Sequence, residues 1–169
     1  MTGMRDVRVG KIVVNIGVGE SGEKLSKAQK VLQMVTGQKP VQTLAHGAVR
    51  DWAVRQNMPI GAKVTLRGEK AVAFLRRALA VRNNRLPDYV FDRFGNFSFG
   101  IADYTDFEGM KYDPEIGVFG MDVNVCLVRP GFRVAERRVA PGRVPHRHRV
   151  TKEEAVTFVQ QTFSAEVAE

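Results

Sequence analysis

Three groups of residues in this chain could in principle do catalytic, cofactor or metal chemistry. Gly17-Val-Gly-Glu-Ser-Gly22 has the G-x-G-x-x-G form, after an apolar run and before a helical pattern, as a dinucleotide-binding turn would. Such a site also needs an acidic residue about 20 positions on to hold a ribose, and residues 37–44, GQKPVQTL, supply none. A phosphate loop would continue as Gly-Lys-Ser/Thr, but Gly22 is followed by Glu23, Lys24 and Leu25. A nucleotide-dependent enzyme using Gly17–Gly22 is therefore an alternative that lacks its partner residues. The N–H groups of such a turn could still hold an RNA phosphate. His46, His146, His148 and Cys126 are metal-ligand types, yet His146-Arg-His148 has no second pair at ligand spacing. Cys126 fits a small, buried strand position instead. The eight carboxylates of residues 88–122 come with no positioned nucleophile, base or oxyanion donor. They read as a solvated acidic face or a docking surface for a basic protein. No catalytic residue, metal, cofactor or small-molecule substrate is expected.

Aromatic and cationic residues point elsewhere. Phe94-Gly-Asn-Phe97-Ser-Phe99-Gly partly matches the aromatic strand of an RRM. Alternation puts Phe97 and Phe99 on one face, where core packing competes with base stacking. A free-standing RRM-like module requires both rings to be exposed. Trp52, the single tryptophan, sits between Arg50 and Arg55 in a polar stretch. It either folds back on the core or meets RNA by stacking. Residues 129–151 carry Arg133, Arg137, Arg138, Arg143, Arg147 and Arg149, whose planar forks suit bidentate phosphate contact. Such a segment can be disordered alone and order on RNA.

The chain has 169 residues, 26 Lys+Arg against 18 Asp+Glu, and a net charge of +8. That length fits a single domain, 1–169, and a basic surface makes nucleic acid the first partner to consider. One cysteine allows no internal disulfide and suits a reducing compartment. No apolar run approaches the roughly 20 residues that span a bilayer, and MTGMRDVRVG does not resemble a signal peptide. A cytoplasmic protein without a membrane partner is expected. The charge is segregated: residues 1–87 carry +11, 88–122 carry −6, and 129–152 carry +7. A surface that only needs solubility mixes its signs, so more than one partner is implied.

Periodicity supplies the elements. Strands are expected over 8–18, 38–44, 60–67, 97–101 and 121–128. Helices are expected over 22–36, with Ser21 as N-cap and Gly37 at the end, and over 69–83. Residues 45–58 read as an extended, irregular loop, and 129–151 as mostly irregular for their Gly and Pro. Thr151-Lys-Glu-Glu154 is a capping box opening a last helix, 151–164. This order favours an α+β fold, an antiparallel or mixed sheet with helices on one face. The other face is left exposed, and its expected residues are Lys11, Asn15, Gln38, Gln42, Lys63, Thr65 and Arg67. These groups offer donors to phosphates and to splayed-out bases.

Several phrases converge on one family. KIVVNIGVGE (11–20), TGQKPVQT (36–43), MPIGAKVTLRG (58–68), FGNFSFGI (94–101) and GMDVNV (120–125) resemble the universal large-subunit ribosomal protein five family, in order and over nearly the whole chain. The basic stretch 129–151 resembles its archaeal/eukaryotic branch. The resemblance implies a structural ribosomal protein that attaches 5S rRNA to the central protuberance. It implies 5S rRNA contact at Asn15, Gly17, Gln38, Lys39, Thr65 and Arg67, overlapping the face read from alternation. It implies that the loop His46–Asn57, with Arg50, Trp52 and Arg55, approaches the peptidyl-site tRNA. It also implies large-subunit rRNA as a partner, and an intersubunit bridge to the basic protein thirteen of the small-subunit head, for which 88–122 is the candidate surface.

Overall fold

A computed structural model describes residues 3–168; the first two residues and the last one of the domain expected over 1–169 lie outside the described residues. In chain order the elements are β1 (Arg8–Gly17), α1 (Glu23–Thr36), β2 (Val41–Leu44), β3 (Pro59–Leu66), α2 (Gly68–Val81), β4 (Arg85–Pro87), β5 (Phe97–Ile101), β6 (Met121–Val128), α3 (Arg133–Glu136), α4 (Lys152–Phe163) and β7 (Glu166–Ala168). The fold is α+β, on an antiparallel five-stranded sheet of order β2-β3-β1-β6-β5. A second, two-stranded sheet pairs β4 with β7 in parallel. The chain gathers into two compact units. A loop unit comprises Val13–Leu66 and Phe99–Asn124. A tail unit takes the described residues of Met1–Ile12, Arg67–Ser98 and Val125–Glu169.

In the loop unit, β-branched residues alternate with polar ones, so each strand has a wet and a dry side. Val14 and Ile16 of β1 and Ala62, Val64 and Leu66 of β3 are buried. Helix α1 packs on β3 through a stripe of Leu25, Ala28, Val31, Leu32 and Val35. Gly37 ends α1 in the left-handed region, φ 67°, with its N–H donating to Gln33 O at 2.8 Å. The N-terminus differs from expectation: Gly22, not Ser21, is the N-cap, and no side chain caps it. Strands β2 and β3 pair antiparallel with Val41 opposite Lys63, Gln42 opposite Ala62 and Thr43 opposite Gly61. A Cβ at Gly61 would lie 2.7 Å from Thr43 Oγ1 and 2.9 Å from Ile16 O, so only glycine permits this approach.

In the tail unit, α2 buries Ala71, Phe74, Leu75, Ala78 and Leu79. Phe97 is 3% exposed, its ring 5.0 Å from that of Phe91. Helix α4 begins with the expected capping box: Thr151 Oγ1 accepts from Glu154 N, and Glu154 Oε2 accepts from Thr151 N at 3.1 Å. Residues 129–150 are more ordered than their Gly and Pro content suggests. They include α3 and a 3-10 turn at His146–His148. Gly142 N donates to Val134 O, Arg137 Nε to Ala140 O, and His148 Nε2 lies 2.8 Å from Pro130 O.

Candidate nucleic-acid interface

On the loop unit, the wet side of the strands carries Asn15 and Gly17 of β1 and Lys63 and Thr65 of β3, while their neighbours along each strand are buried. Residues directly opposite in an antiparallel pair share a side. Val41 and Thr43 therefore lie on the side of Lys63, and Gln42, itself exposed, lies with Ala62 on the opposite side. This corrects the expectation for Gln42, which counts alternation from residue 38. Strand β2 starts only at Val41, after Pro40, and the three-residue delay reverses the parity. Gln38 and Lys39 precede the strand; Gln38 N donates to Thr36 Oγ1 at 3.4 Å, so both belong to the turn leaving α1. Asp122 and Asn124 of β6 are also exposed between buried Met121, Val123 and Val125. The wet side is thus polar and not uniformly cationic, a feature the alternation in MDVNVCLV could have revealed.

Residues 45–58, expected to be irregular, form a narrow finger. Ala45 N donates to Met58 O and Asn57 N to Ala45 O, both at 2.9 Å, and Val49 and Val54 exchange both backbone bonds. A 3-10 turn at Arg50–Trp52 closes the tip, with Ala53 at φ 54°. Trp52 is 76% exposed, so it does not fold back on the core. His46, Arg50, Arg55 and Asn57 are exposed along the same finger.

On the tail unit, the wet side of β1 and β6 is not bare. The Arg-rich segment builds the wall of a hollow of about 980 Å³, lined by Lys11, Arg67, Cys126, Arg133, Arg143 and Arg149 among others. Arg137, Arg138 and Arg147 are exposed away from it. Arg129 also lines the hollow. Its Nη2 donates to Glu154 Oε1 at 2.5 Å, and its Nε is buried without a hydrogen-bond partner among the described residues. Phe94 stands at the hollow with the guanidinium of Arg93 at 4.7 Å and that of Arg149 at 5.5 Å from its ring centre. Cys126 is half-buried beside Lys11 and Arg67, not in the apolar core as expected, because it occupies the wet register of β6. Burial pushes its thiol pKa up, against the opposing pull of Lys11.

The other readings fare unevenly. Phe97 and Phe99 are 3% and 6% exposed, so they pack the interior and offer no stacking platform of the RRM kind. Strand β2, which follows the glycine turn and α1, pairs antiparallel with β3, unlike the parallel βαβ unit of a dinucleotide site. Among the described residues, His46, His146, His148 and Cys126 join no group of three metal-ligand types. Several acids of 88–122 are occupied: Asp92, Asp103 and Asp113 accept from backbone N–H groups of their own turns, and Asp88 pairs with Lys152. Asp106, Glu108 and Glu115 are exposed. Among the described residues, no helix is long and apolar enough to cross a membrane.

Two family descriptions match the chain: "Ribosomal protein L5" over residues 3–55, and the C-terminus of the same ribosomal protein family over residues 59–158. The chain is 52% identical over 168 residues to the large ribosomal subunit protein uL5 of Thermoplasma volcanium, covering 99% of each. It is 53% identical over 167 residues to that of Sulfurisphaera tokodaii, covering 98% of this chain and 94% of the relative. It is 47% identical over 164 residues to that of Methanoregula boonei, covering 97% and 99%.

Proposed function

Because the chain belongs to the ribosomal protein L5 family, we propose that it holds 5S rRNA in the central protuberance of the large ribosomal subunit. Members of this family are structural proteins of the cytoplasmic ribosome. The observation that carries the RNA reading is the alternation of β1 and β3, which buries Val14, Ile16, Ala62 and Val64 and leaves Asn15, Lys63 and Thr65 outward. Amide, ammonium and hydroxyl groups on a pleated surface donate to phosphate oxygens, 2′-hydroxyls and base edges. Gly17 lets a backbone approach closely. Lys11 and Arg67 add cations on the tail unit, and Gln38 and Lys39 add donors at the turn before β2.

Three further contacts complete the reading. The finger carries Trp52 at its tip, with His46, Arg50, Arg55 and Asn57, to the peptidyl-site tRNA. Arg133, Arg137, Arg138, Arg143, Arg147 and Arg149 neutralise phosphates of large-subunit rRNA. The exposed acids Asp106, Glu108 and Glu115 suit the basic protein thirteen of the small-subunit head.

The test is a gel shift with 5S rRNA. Arg67→Ala removes a charged donor, which is worth roughly 1–3 kcal/mol, or between about 5-fold and 150-fold in Kd. Asn15→Ala weakens binding by less. If both variants bind as tightly as the parent, the strand-side assignment is wrong.

A further inference from the structure

The hollow of the tail unit is in the size range of sites that enclose small ligands, at about 980 Å³. Among the described residues, seven cations line it against one carboxylate, Glu136. Arg129 has Glu154 as its partner. Among the described residues, the other six cations, Arg8, Lys11, Arg67, Arg133, Arg143 and Arg149, have no carboxylate within ion-pair reach. Like charges gathered in a concavity repel one another until an anion enters, and low-dielectric walls focus their field on it. The buried, unpartnered Nε of Arg129 adds a donor that calls for an acceptor at the same place. The shape of the hollow narrows the choice of anion. An RNA duplex presents its phosphates on a convex rod, whereas an unpaired strand can fold its backbone into a recess and splay its bases outward. Phe94, with Arg93 and Arg149 against its ring, supplies planar groups at the hollow on which such bases can stack.

We propose that this hollow receives the consecutive phosphates of a sharply turned, unpaired RNA segment. The proposal rests on the RNA-binding reading above and deepens it, naming the form of RNA that the cations of the tail unit take. The wall built by residues 129–150 is the part that makes the site concave, so the Arg-rich segment acts by shape as well as by charge.

Cys126, the single cysteine, lines the hollow and reports on it directly. The full chain is treated with a disulfide-exchange thiol reagent, alone and with tetrauridylate, a short blunt RNA duplex or inorganic pyrophosphate. 5S rRNA binding is measured in parallel by gel shift. Tetrauridylate is expected to slow modification of Cys126 about tenfold near saturation, and the duplex at equal phosphate concentration by less than about twofold. Arg133→Gln with Arg143→Gln, two exposed positions, is expected to weaken this protection at least about fivefold while the circular dichroism spectrum stays that of the parent. Retained protection in that variant, or protection by pyrophosphate as strong as by tetrauridylate, overturns the assignment to an RNA strand. If tetrauridylate leaves the rate unchanged while 5S rRNA still binds, the hollow is not an RNA site and the RNA-binding reading survives. If 5S rRNA does not bind either, that reading itself fails.

Discussion

The carboxylate of Glu154 joins the Arg-rich segment to the last helix: Oε1 accepts from Arg129 Nη2 at 2.5 Å, and Oε2 accepts from the Thr151 N–H at 3.1 Å. One side chain thus caps α4 and holds the first arginine after β6. The Arg129 side chain is 11% exposed and that of Glu154 41%, so water screens the pair only on one side. Through this link the wall of the hollow is anchored to the tail unit rather than left to find RNA as a loose tail.

Glu154→Ala is expected to cost more than Thr151→Ala. Loss of a helix cap costs about 1 kcal/mol. Removing Glu154 also leaves the Arg129 guanidinium nearly buried and unpaired, which adds about 1–3 kcal/mol. Urea denaturation of the two variants separates these contributions. Equal destabilisation would mean that the Arg129 pair contributes nothing.

Gly61→Ala is expected to destabilise the protein by about 1–3 kcal/mol, as overpacking does. The new methyl would meet Thr43 Oγ1 and the backbone oxygen of Ile16, and the second obstacle is main chain. Adding Thr43→Ala therefore restores only part of the loss. Full rescue in a thermal melt would place the whole strain on the threonine.

Phe97 and Trp52 should behave as opposites. Phe97→Ala opens a core cavity and costs about 3–5 kcal/mol. Trp52→Ala, at the tip of the finger, changes stability by less than about 0.5 kcal/mol. It leaves the 5S rRNA gel shift unchanged and weakens crosslinking to peptidyl-site tRNA in assembled ribosomes. A large stability loss at Trp52 would show that the finger packs on something.

The sequence and the structure agree best where one period runs unbroken. FSFGI and MDVNVCLV alternate strictly, and both strands occur at the expected bounds because each side of the pleat has a single solvent. Gly37 and the Thr151–Glu154 box mark helix ends by local chemistry that needs no tertiary partner. Parity fails at Gln42, since the side a strand residue faces depends on where the strand starts, and Lys39-Pro40 delay β2. Cys126 departs from expectation for a related reason: a small apolar residue in a strand reads as core, although its register puts it with the polar set. The three-residue strands β4 and β7 are too short to show a period, and their parallel pairing joins residues 81 apart, as in Arg85 with Glu166. Residues 45–58 and 129–150 read as irregular because glycines, prolines and polar residues carry no periodic signal. Their order resides in backbone pairs such as Val49 with Val54 and Val134 with Gly142.

The thiol of Cys126 gives a pH-dependent signature of the hollow. Burial raises its pKa from the ordinary 9.0; Lys11 pulls it back less strongly, Asp92 and Glu136 add to the rise, and Arg67 opposes it least. A group whose folded pKa is raised contributes stability that is intact below the unfolded value and lost as pH climbs through the folded one. Stability should therefore fall as pH rises above about 9, and Cys126→Ser should flatten that fall. The same shift makes the thiolate scarce at neutral pH, so Cys126 reacts slowly, with a midpoint above that of cysteine in the unfolded chain. Lys11→Ala removes the stronger opposing charge and should move the midpoint further up. A midpoint at or below the unfolded value would mean that the cations of the hollow, rather than burial, govern the thiol.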